Sequence, residues 1–187
     1  GWYEHEWLAY GYGFPDAPER LRMLREACKV IRAMWSEDYA TYAGQSYQVN
    51  GAINEPKGAS GPPPLWIGGG GERVTLKLVA QYADACNVMG DVETVGRKLE
   101  ILKGHCDTVG RNYDDLVKST QIRVHLIEKG DDPEKASDAV RQGIPFDEFA
   151  SGFLIGTPED VAEKVEQFAL LARGELVERQ QSDEMMS

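Results

Sequence analysis

Three observations predict an α/β fold of parallel strands joined by crossover helices. A short apolar run, Leu65-Trp66-Ile67, ends in Gly68-Gly69-Gly70-Gly71 and leads into the helical pattern Leu76, Val79, Ala80, Ala83. A second run, Ala85-Cys86-Asn87-Val88-Met89, is followed by Val95, Leu99, Leu102 and Cys106, one face of a helix that stops at Gly110. A third, Thr120 to Ile127, alternates Ile122, Val124 and Leu126 with Gln121, Arg123 and His125, which predicts one face in the core and one facing something polar. Parallel strands need connections long enough to return to the same end of the sheet, and the intervening helical patterns supply them. An open doubly wound sheet and a segment of a (β/α) barrel both satisfy this. A whole barrel takes about 250 residues, more than the 187 present.

The other elements follow from the same periods. Leu21, Leu24, Cys28, Ile31 and Trp35 recur at helical spacing between Glu19 and Glu37, with Pro18 suited to the first turn. Between residues 39 and 61, Tyr, Gly, Asn, Ser and Pro replace the periodic leucines, and the segment reads as a hairpin or loop excursion inserted between larger elements. Asp131 to Gln142 predicts a short helix, and Gly143 to Gly156 a loop carrying Phe146, Phe149 and Phe153. Thr157, with Asp160 at the third helical position, caps a last helix whose inner stripe is Val161, Val165, Phe168 and Leu171. Residues 175–187 read as a polar tail without a strand.

Composition bounds the function. A net charge of −11 excludes a basic nucleic-acid surface. The apolar runs are far shorter than the roughly 20 residues that cross a bilayer, and no signal peptide is visible. The cysteines, Cys28, Cys86 and Cys106, are odd in number and widely spaced, which points to neither a disulfide framework nor a metal site and fits a reducing cytoplasm. The chain opens on Gly1-Trp2-Tyr3 with no initiator Met and no preceding strand, which reads as a sequence whose beginning is missing.

The glycine turn carries the strongest chemical signal. Glycines let backbone N–H groups approach an anion, the helix start offers unpaired donors and partial positive charge, and Arg73 can add a bidentate contact. Phosphate binding is one reading, and a tight strand-to-helix turn is the other. No Gly-Lys-Ser/Thr follows, so this is not a nucleotide P-loop. Counting from Gly69 and Gly71, the third glycine of a dinucleotide fingerprint would fall at Val74, so that match is weak. In the opening segment, Glu4, His5 and Glu6 offer a proton-transfer group, but adjacent residues on a helix diverge and cannot share one metal. His125 reads as a structural histidine at a strand face, and His105 as a solvent-facing residue without a role.

Taken in order, several segments resemble the luciferase-like monooxygenase family, and within it the deazaflavin-dependent oxidoreductases. They are Gly1 to Pro15, Glu26 to Trp35, Pro63 to Leu76 and Tyr82 to Asn87, with Phe153 onward resembling the family's last helix region. The resemblance implies a partial TIM-like (β/α) barrel with the cofactor at the C-terminal strand ends. Residues 1–174 would then form one incomplete barrel domain with 39–61 as its insertion, and Gly1 would lie just after the fourth strand. It also implies a cofactor, coenzyme F420 or alternatively FMN, with its phosphate at Gly69, Gly70, Gly71, Glu72, Arg73 and Thr75. Trp2 would line the cleft near the ring and Glu6 would be the catalytic carboxylate. The implied chemistry is hydride transfer or monooxygenation on a small organic substrate. Exposed strand edges of an incomplete barrel imply self-association or a completing chain. A non-catalytic phosphate-ligand-binding module and an inactive gene fragment are the competing readings.

Overall fold

A computed structural model describes residues 1–174. After a short helix α1 (Glu4–Ala9) comes α2 (Ala17–Ser36), whose start is fixed by Asp16 accepting the Glu19 N–H at 2.9 Å. The excursion between residues 39 and 61 contains an antiparallel pair, β1 (Ala40–Ala43) and β2 (Gln48–Ala52). It is tied to α2 by the buried Glu26, whose carboxylate accepts the N–H groups of Gln45 (3.1 Å), Ser46 (2.8 Å) and Tyr47 (3.1 Å). Burial alone would raise the Glu26 pKa, but these three donors, with Arg22 nearby, hold it below its ordinary value.

The central unit is β3 (Trp66–Gly68), α3 (Thr75–Tyr82), β4 (Ala85–Asn87), α4 (Val92–Val109) and, after a 3-10 turn at Tyr113–Asp115, β5 (Val117–Ser119). The strands pair in parallel in the order β3-β4-β5, with Gly68, Asn87 and Ser119 level at their C-terminal ends. Strand order follows chain order with no reversal, as in a barrel segment. Leu76, Val79, Ala80 and Ala83 are at most 1% exposed, and the buried residues of α4 are Val95, Leu99, Leu102 and Cys106. All four expected positions on each helix therefore form the core.

The segment after β5 departs from expectation. The strand expected over 120–127 shortens to β6 (Val124–Leu126), which pairs in parallel with β7 (Leu154–Gly156), while the strand that pairs with β4, Val117–Ser119, lies before that range and was not expected. Ile122 packs against the core, yet Val124 (43%) and Leu126 (57%) stay exposed. His125 instead meets Phe149, their ring centroids 6.1 Å apart. Alternation announces two faces but not which one a later element covers. The expected helix from Asp131 is two short ones, α5 (Pro133–Ala136) and α6 (Asp138–Arg141). The expected loop 143–156 holds α7 (Phe146–Ser151) and β7, because Phe149 is buried and its ring stacks on Phe153 at 4.2 Å.

The last helix, α8 (Pro158–Arg173), has the predicted capping box between Thr157 and Asp160. Phe168 and Leu171 face inward as expected, while Val165 is 47% exposed and Leu170 is buried instead. A side chain at Gly96 of α4 would stand 3.0 Å from Leu171 Cδ2, so α4 and α8 touch where glycine permits it. The reading of residues 175–187 as a polar tail lies outside the described residues. Among the described residues no helix is long and apolar enough to cross a membrane.

Candidate functional site

The C-terminal ends of β3, β4 and β5 meet at one edge of the sheet. Asn87 Nδ2 donates to Ser119 Oγ at 2.9 Å, and Ser119 Oγ donates to the Cys86 carbonyl at 3.0 Å. The glycine turn leaves β3 beside this pair, and the Gly69 N–H donates to the Asn87 carbonyl at 3.0 Å. Gly69 has φ +120°, a region that side-chain-bearing residues rarely adopt, so the turn needs glycine there for its conformation.

At Gly70 and Gly71 the requirement is space. A Cβ on Gly71 would lie 2.7 Å from Thr75 Oγ1, and one on Gly70 would strike the end of the Lys98 side chain, 3.0 Å from Cε. The turn is thus a cradle bounded by a hydroxyl and an ammonium. Val74 occupies the N-cap of α3 and supplies no side-chain hydrogen bond, and the Leu76 N–H in the first turn donates to the Gly71 carbonyl at 3.0 Å. Thr75 is only 9% exposed, and its hydroxyl makes no hydrogen bond among the described residues. A hydroxyl and an ammonium bordering a glycine turn at a helix start match an anion with several oxygens. These residues fit the phosphate of a bound cofactor.

The predicted cofactor residues fall into three groups. Gly69, Gly70, Gly71 and Thr75 come together in the cradle. Glu72 pairs with Arg97 and is partly covered. Arg73 is exposed and carries no ion pair or hydrogen bond among the described residues. Trp2 is 84% exposed, and Glu6 lies on α1, which buries no residue. The ring contacts around α1 are local, as between Trp7 and Phe14 at 5.8 Å, and Arg20 Nε donates to the Gly1 carbonyl at 3.1 Å.

Sequence reasoning missed three groups at the site. His105 is not solvent-facing: its Nε2 lies 2.8 Å from the Glu72 carbonyl, and since a carbonyl only accepts, Nε2 carries the proton. Lys98 stands three residues after Val95 and four before Leu102, on the flank of the buried stripe, and that spacing was a usable signal. Asn87 was visible as a polar end to an apolar strand. A cavity of about 500 Å³ opens beside the loop after β4, lined in part by Met89, Asp91, Gln121, Arg123, Phe153 and Lys164. Asp91 caps α4 by accepting the Thr94 N–H at 2.8 Å, and bonds to Thr94 hold its pKa down. Among the described residues no cluster of His, Cys, Asp or Glu could hold a metal ion.

Comparison with known proteins gives the family and the fold. Residues 1–151 match the family model described as luciferase-like monooxygenase. The chain is 25% identical over 209 residues to an F420-dependent glucose-6-phosphate dehydrogenase of Mycolicibacterium fortuitum, covering 91% of this chain and 58% of that protein. It is 24% identical over 199 residues to an FMNH(2)-dependent dimethylsulfone monooxygenase of Pseudomonas putida, covering 88% and 54% respectively. Among solved structures it is similar to an F420-dependent secondary alcohol dehydrogenase in complex with an F420-acetone adduct, with a TM-score of 0.69 at 18% identity, covering 85% of this chain and 56% of that one. The chain spans about half the length of the curated relatives it matches.

Proposed function

The chain belongs to the luciferase-like monooxygenase family, and on that premise we propose that it carries the phosphate-binding part of a site for coenzyme F420, or alternatively FMN, in an oxidoreductase acting on a small organic substrate. The observation that carries this reading is the Gly69–Gly71 turn at the strand ends, bordered so closely by Thr75 Oγ1 and the Lys98 side chain that a Cβ on Gly71 or Gly70 would strike them. When bound, such a cofactor supplies hydride transfer or, as a reduced flavin, oxygen activation.

This chain's own contribution is binding and orientation. Backbone N–H groups of the turn and of the start of α3 hold phosphate oxygens, and Thr75 donates one further hydrogen bond. Asn87 and Ser119 fix the floor through their mutual hydrogen bond, and the adjoining cavity gives the ring or substrate an apolar wall. Free, buried Cys28, Cys86 and Cys106 support a reducing, cytoplasmic setting. A second copy or another chain completing the sheet remains part of this proposal.

Fluorescence titration of the folded chain with F420 and separately with FMN tests it. Saturable binding of one of them, weakened about tenfold by Thr75→Val, is the expected result. Absence of binding by both overturns it. A second reading, a non-catalytic phosphate-ligand module, is favoured by the exposure of Glu6 and Trp2, which nothing holds at the cradle. Cofactor binding without turnover on any substrate of the F420- or FMN-dependent relatives would select that reading.

A further inference from the structure

Helix α4, from the next strand-to-helix unit, touches the glycine turn at three points. Arg97 Nη1 pairs with Glu72 Oε1, His105 Nε2 donates to the Glu72 carbonyl at 2.8 Å, and the Lys98 side chain lies across Gly70. The charges do not cancel evenly. Glu72 would repel a bound anion, but Arg97 neutralises it. Lys98, in contrast, faces no carboxylate and makes no hydrogen bond among the described residues, although it is partly buried. An ammonium with reduced solvent access and no ion pair among the described residues, laid across Gly70 next to the glycine that borders the Thr75 hydroxyl, lacks only an anion.

Arg73 is the other cation near the turn, and physical chemistry separates the two. It is exposed, so water and salt screen its field, and ordering its long side chain costs entropy. Lys98 is already laid against the turn, and the missing side chain at Gly70 is what leaves room for it. Resting on the cofactor reading above, we infer that Lys98 is the cation that neutralises the phosphate ester held in the Gly69–Gly71 turn, with Arg97 and His105 as positioning residues that keep Glu72 and the turn in place.

The test compares FMN with riboflavin, which has the same ring without the phosphate, so their affinity ratio reports the phosphate contact alone. In Lys98→Met that ratio falls about tenfold or more, while riboflavin affinity is unchanged. Lys98→Arg recovers most of it, and Arg73→Ala moves it by less than about twofold. An unaltered circular-dichroism melt shows that each variant folds. A ratio unchanged in Lys98→Met, or one lost only in Arg73→Ala, overturns the assignment.

Inorganic phosphate, followed by its phosphorus resonance, separates this inference from the cofactor reading. If F420 and FMN both fail to bind but phosphate broadens with wild type and not with Lys98→Met, the cofactor reading falls and Lys98 stands as an anion ligand. If phosphate also fails to bind the folded wild-type chain, both fall.

Discussion

The β3–α4 unit and the segment 1–15 are both rich in apolar residues, and the structure treats them oppositely. Leu76, Leu78, Val79 and Leu102 are completely buried, whereas Trp2, Tyr10 and Tyr12 are 84%, 74% and 67% exposed. Composition does not separate these regions. In the first, crossover helices press two apolar stripes onto one parallel sheet, while α1 has only six residues and adds none of them to the core. The proposed site divides the same way. The glycine turn is attached to the buried unit, whereas Trp2, expected to line the cleft near the ring, and Glu6, expected as the catalytic carboxylate, are attached to the other.

The comparison breaks first in the core. Leu102→Ala removes a fully buried side chain and lowers stability by about 2–5 kcal/mol in chemical denaturation. A loss under about 1 kcal/mol would mean that α4 is no better packed than α1. Next comes the turn itself: Gly69→Ala forces a side chain into φ +120°, costs about 1–3 kcal/mol and abolishes phosphate binding in the titrations above. Binding retained by that variant would detach the turn's conformation from its role.

Glu26 supplies an intermediate case, an inserted hairpin held by one buried carboxylate. Its folded pKa lies below the unfolded one, so it stabilises fully above the ordinary carboxylate range and loses that contribution as pH falls through its folded pKa. Glu26→Gln therefore lowers the melting temperature at neutral pH and flattens its decline below about pH 4. Parallel acid limbs in the two proteins would remove Glu26 from the hairpin's support. The smallest effect is expected at Trp2→Ala, a change within about 0.5 kcal/mol in the same denaturation assay. A larger loss would show that residues 1–15 pack against the rest of the chain.

Helices α3 and α4 were legible position by position because their apolar spacing is a covalent property of the chain. The capping box of α8 was legible for the same reason: Thr157 and Asp160 are neighbours in sequence. Half of the candidate site was readable too, since Gly69 to Thr75 is a single contiguous segment. What escaped joins residues far apart. His105 reaches Glu72 from 33 residues away, and Glu26 reaches Ser46 from 20. The burial of β6 was misread because β7, the strand it pairs with, comes only after three short helices.

The sequence by itself determined the alternation of strand and helix, the stripes that become core and the place where a strand must turn through glycine into a helix. Tertiary structure decided which cation lies over that turn, which carboxylate is neutralised there and which aromatic residues remain in water. The first set depends on backbone periods and glycine's allowed φ values, which act over a few residues. The second depends on how α4 packs across α3, and that contact exists only once the parallel strands have brought the two helices side by side.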